Sequence, residues 1–141
     1  MASFNKFNQF VEDLAEKVHN LGSDTLKVLL TNTAPVSTNA VKADLTEISG
    51  GNGYTAGGTA PTISSSAQSS GTYKLVLADV VFTASGGSIG PFRYVVLYND
   101  TPTSPADPLI GWWDYGSSIT LADAETFTVD FDGTAGVLTL A

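Results

Sequence analysis

ASGGSIGPFRYVVLY, residues 84–98, is the stretch on which the reading of the whole chain turns. Its first half, Gly86-x-Ser88-x-Gly90, matches the nucleophile elbow of α/β-hydrolases, where a strained strand-to-helix turn exposes a serine. Its second half, FRYVVLY (92–98), is apolar on both faces apart from Arg93, as a strand in the middle of a sheet would be. The halves conflict, because an elbow serine must open a helix and here Gly90 leads through Pro91 into a strand. The base is missing too. His19 is the only histidine, and it precedes the serine, whereas hydrolases of that class place it last. Gly86, Gly87 and Gly90 are therefore read as a turn between VVFTA and FRYVVLY, with Ser88 an ordinary turn residue. No enzyme is expected.

Working outward from that strand, period two dominates. DTLKVLLT (24–31) sets Leu26, Val28 and Leu30 on one face. TYKLVLA (72–78), LIGWWDY (109–115), ETFTVDF (125–131) and GVLTL (136–140) complete the set, each bounded by Gly, Pro, Asn or Asp. Only the start of the chain has helical periodicity. Phe4, Phe7, Val11, Leu14, Val18 and Leu21 recur at threes and fours, with Ser3 as N-cap and Gly22 just past the end. Lys6, Glu12, Asp13, Glu16 and Lys17 fall largely off that stripe. The spacing predicts a helix over 4–21, with His19 near its C-terminus as a surface or capping residue.

Between these parts lies 32–71, rich in glycine and serine and poor in periodicity. A stretch that long is unusual inside a compact domain, and it reads as an extended arm, with an edge strand possible over Thr59–Ala67. The expected organisation is one domain over 1–141: the helix at 4–21, the arm at 32–71 and a β core at 72–140. The expected fold is mainly β, an antiparallel β-sandwich or flattened barrel of seven or eight strands with one N-terminal α-helix.

Composition narrows the function. At 141 residues and 43% hydrophobic, the chain can bury a core. No apolar run reaches the roughly eighteen residues of a bilayer span, and the first twenty residues do not read as a signal peptide. Net charge is −8, against any role whose affinity comes from phosphate contacts, so neither nucleic acid nor membrane is an expected partner. Cysteine is absent, which excludes disulfides and thiolate metal sites. The D-F-D-G run at 130–133 begins like a calcium loop. It lacks the third acid or amide of the full loop, and Ala141 stands where the closing glutamate belongs. GGNG and AGG lack the lysine and following helix of a P-loop. No cofactor or metal is expected.

Aromatic residues offer more. WWDY (112–115) points Trp112 and Trp113 to opposite faces of any strand, so at most one fills a given core. TPTSPADP (101–108) reads as a rigid exposed loop. The blocks DTLKVLLTN, DLTEISGGNGYTAGG, FRYVVLYND, PLIGWWDYG and ETFTVDFDGTAGVLTL, in that order after an amphipathic helix, resemble a family of small virion structural proteins of tailed bacteriophages and prophages. GNGYTAGG and PLIGWWDYG carry most of the likeness. The resemblance implies a particle component, first a capsid decoration (cement) protein that binds and stabilises the outer shell. The alternative is a tail- or fibre-associated protein binding a host surface glycan. It also implies the major capsid protein and copies of the chain itself as partners, a homo-oligomer (a trimer being one form, with no residue fixing the number), and a place on the capsid exterior after synthesis in the host bacterial cytoplasm. The candidate interface is Trp112, Trp113, Tyr115, Tyr54, Pro102 and Pro105.

Overall fold

The computed structural model describes residues 2–141. In chain order the elements are β1 (Asn5–Lys6), α1 (Asn8–Ala15), β2 (Leu26–Thr31), β3 (Ile63–Ser69), β4 (Thr72–Leu77), β5 (Val80–Thr83), β6 (Ile89–Asn99), β7 (Leu109–Leu121), β8 (Thr126–Val129) and β9 (Leu138–Leu140), with one turn of 3₁₀ helix at Lys42–Asp44. All the strand pairs are antiparallel. They form a four-stranded sheet in the order β1-β7-β6-β2, a three-stranded sheet β3-β4-β9 and a ribbon β5-β8. The result is a mainly β, sandwich-like fold with one N-terminal helix and no closed barrel.

The main core lies between the four-stranded sheet and the two smaller ones. Leu26, Val28, Leu30, Val95, Leu97 and Ile110 meet Leu75, Leu77, Val80, Phe82 and Phe131 there. The four-stranded sheet also buries its other face, where Leu29, Val96, Tyr98 and Leu109 gather with Phe7 under Leu45 and Trp112. This second layer explains why FRYVVLY is apolar on both sides: it is the centre of β6, flanked by β2 and β7. Leu29 and Thr31, on the face of β2 opposite the one singled out by alternation, are fully buried as well.

Three expectations need correction. The helix spans Asn8–Ala15, not 4–21. Its N-cap position is held by Phe7, not Ser3, and Lys17 at φ 69 takes the left-handed turn assigned to Gly22. Phe4 and Phe7 keep their spacing but serve strand-side packing: β1 pairs Asn5 with Trp112, and the Phe7 N–H donates to the Ile110 carbonyl at 3.2 Å. Val11 is half exposed, whereas Asp13, expected on the polar side, is buried.

The 32–71 segment, secondly, is not a free arm. Its first part folds along β2, bridging Thr31 to Glu47 and Val28 to Thr59. Its last part is β3, which does sit at a sheet edge, shifted to Ile63–Ser69. Tyr54 anchors the middle from inside the core, accepting from the Leu30 N–H (3.1 Å) and donating to Glu47 Oε1 (2.7 Å). Glu47 also accepts from the Gly57 N–H at 2.5 Å, and Tyr98 Oη donates to the Gly57 carbonyl at 2.5 Å. Burial pushes both phenols well above the usual tyrosine range. The β core therefore includes β1 and β2 and does not begin at residue 72.

His19, thirdly, is buried. Its ring lies 5.2 Å from that of Phe10, and Asn99 Nδ2 donates to its Nδ1 at 3.1 Å, so the neutral ring carries its proton on Nε2. Burial lowers its pKa from the ordinary value of 6.5, with the Asp13 and Asp24 carboxylates pulling weakly the other way. A histidine lowered on folding takes up its proton in the unfolded chain first. Its contribution to stability is therefore complete above about pH 6.5 and is lost as the pH falls through the folded-state value. Urea unfolding at pH 7.5 and pH 5 should show the drop, and His19→Gln, which does not titrate, should shrink it. An unchanged drop in the variant would assign the effect to the carboxylates.

Candidate functional site

β7 carries the aromatic cluster, and its alternation sorts the residues. Trp112 faces the outer layer, its ring 4.5 Å from that of Phe7. Trp113 faces the sandwich interior, flanked by Phe4 at 5.3 Å and Phe131 at 5.6 Å. Phe4 reaches that position because β1 lies beside β7 and its ring covers Gly111, where an added Cβ would run into it. Two residues beyond Trp113, Tyr115 leaves the core and is 53% exposed, with its ring 5.5 Å from Phe127. Phe127 is held edge-on by Phe92 at 5.0 Å.

These rings line a groove of about 280 Å³ between β7, β8 and the 130–137 segment. Its floor is Phe4, Val95, Trp113 and Phe131; Tyr115, Phe127 and Val129 form its wall, and Asp130 and Asp132 are its acidic lining residues. Asp132 is a turn residue. Its Oδ1 accepts from the backbone N–H groups of Ala135 and Thr134, which hold its carboxyl below the usual range. Asp114, near Tyr115 in sequence, is bidentate with Arg93 (2.8 and 3.0 Å) and is likewise lowered by that guanidinium. Among the described residues no three His, Asp or Glu side chains converge as a metal site would require, and no helix is long and apolar enough to cross a membrane. Nor does Ser88 meet His19. Ser88 stands exposed before the start of β6 and His19 packs at its far end, roughly 30 Å away at strand spacing.

A scan against protein-family models, a search of curated proteins and a search of solved structures found no match. The site therefore rests on its own geometry.

That geometry divides the candidate interface. Trp113 and Tyr115 share the groove. Trp112 lies on the opposite face of the sheet, and Tyr54, at 3% exposure, presents no surface to a partner. Pro102 and Pro105 sit in the loop before β7, more than about 20 Å along the strand from Tyr115. A glycan site combining a tryptophan, Tyr115 and the proline loop is not assembled. Phe127, Val129 and Phe131, which complete the groove, were absent from the candidate set. Their alternation in ETFTVDF is the signal that would have found them, since one face of that segment is wholly apolar.

Proposed function

We propose that this chain is a structural protein of a tailed-phage virion, a capsid decoration protein that binds the outer shell and reinforces contacts between its subunits. The observation that carries this reading is the aromatic groove. It is an open, mostly apolar surface beside an exposed tyrosine on an otherwise acidic chain. A concave, mostly apolar groove of that kind is the surface of this chain best shaped to take up a binding partner. The resemblance of the ordered blocks to phage virion proteins favours a particle as the setting, and the net charge of −8 suits an outer component that must stay clear of packaged nucleic acid. Cryo-EM of intact particles tests it: density for this fold should repeat over the shell. Density confined to the tail would refute the decoration reading.

A further inference from the structure

We propose that the groove between β7 and β8 seats an extended, apolar segment bearing lysine or arginine from another protein, added as a strand. Two features of the backbone point to a strand. β1 flanks β7 only at Gly111 and Trp112; from Trp113 onward β6 is the one strand paired with β7 among the described residues. Among the described residues β8 pairs only with β5. The groove thus runs between two strands that lack a second ladder partner over Trp113–Leu121 and Thr126–Val129 among the described residues, with Ala2 and Phe4 lining its β1 end. A strand edge without a ladder partner is a template for another strand. Its apolar lining would receive the apolar side chains on one face of such a strand, with Tyr115 as the exposed anchor.

Charge selects the occupant. Among the described residues the lining contains Asp130 and Asp132 and no cationic side chain. Lys74 lines a neighbouring groove instead, its ammonium donating to the Thr134 carbonyl at 2.7 Å. A second copy of this chain would bring fourteen acidic residues against six basic ones to an acidic rim. A basic segment gains from the same field. A sugar is the poorer fit, because the groove is mostly apolar and its one tryptophan, Trp113, already packs against the rings of Phe4 and Phe131. The proposal rests on the virion reading only for where the partner is found, on the shell.

The test uses the full chain and two labelled peptides, one alternating valine with lysine and the other valine with glutamate, followed by fluorescence anisotropy. The lysine peptide should bind and the glutamate peptide should not. Tyr115→Ala, at an exposed position, should weaken binding about tenfold or more without moving the urea midpoint. Asp130→Lys should shift the preference toward the glutamate peptide. Absence of binding, equal binding of both peptides, or binding indifferent to Tyr115→Ala would overturn the proposal. So would a dimer by ultracentrifugation, or glycan-array binding, that disappears in Tyr115→Ala. A second arm adds wild type and Tyr115→Ala to particles stripped of this protein. Undiminished attachment of the variant would sink the groove proposal and leave the virion reading standing. No attachment of either, with the peptide pattern intact, would sink the virion reading and leave the groove.

Discussion

Gly58→Ala is expected to lower the unfolding free energy by about 3 kcal/mol or more. Two costs combine at this position. Gly58 has φ +80, a left-handed conformation that costs an alanine about 1–2 kcal/mol. The added methyl would also run into the Val28 carbonyl, the backbone of a fully buried strand that cannot move aside. That carbonyl accepts from the Thr59 N–H at 3.0 Å, and Thr59 accepts from the Val28 N–H at 2.8 Å. Relieving the clash means parting these two hydrogen bonds and lifting the 32–62 segment from β2. Gly71→Ala is the control. It has nearly the same dihedral, φ +83, with nothing near the added methyl, and should cost only about 1 kcal/mol. Urea unfolding of the two variants separates torsion from collision; equal losses would mean the 32–62 segment is not packed on β2 as described.

Phe7→Ala should cost about 3–5 kcal/mol. Its ring is fully buried among Leu29, Val96, Tyr98 and Leu109 and is capped by Trp112, so removing it opens a cavity under the outer face of the four-stranded sheet. The surrounding strands are fixed by their ladders and cannot collapse into the space. Trp112 emission should shift to the red in the folded variant as its covered face meets water. A loss below about 1 kcal/mol would show that the outer cluster is surface packing and not a second core.

The strands were readable from the sequence where alternation or a double-sided apolar run announces burial, as in FRYVVLY and TYKLVLA. The helix was read too long for a physical reason. Phe4, Phe7 and Phe10 have helical spacing, and the same spacing is satisfied by one ring over Gly111, a second in the outer cluster and a third in the main core. Periodicity records that residues are buried, not against what. The 32–71 segment is held by isolated bridges and by side-chain bonds from Tyr54 and Glu47 to distant backbone, which leave no repeat to detect. His19 looked like a surface residue because its partner, Asn99, is eighty positions away. Of the site, Trp113 and Tyr115 were visible as aromatics, and the division of WWDY between two faces followed from strand geometry alone. That Phe127 and Phe131 join them depends on how β8 crosses to β7, which is a property of the assembled layers. Three glycines of GNGYTAGG and PLIGWWDYG share an explanation: Gly53, Gly58 and Gly111 lie where another backbone or ring occupies the space of a Cβ, whereas Gly51 and Gly116 have open space there.

The pairing of β1 with β7 joins Asn5 to Trp112 across 107 positions, and β4 waits for β9 at Leu138–Leu140. On a ribosome the first ladder cannot close before Trp112 has been made, nor the second before Leu138. Until then the apolar faces of β2 and β6 stand open, and sheets whose contacts span so much chain assemble slowly. The nascent protein thus passes through a period of vulnerability set by topology. Its yield in the cell should depend on how quickly synthesis reaches the last strand, and slower translation of the final third should favour aggregation over folding.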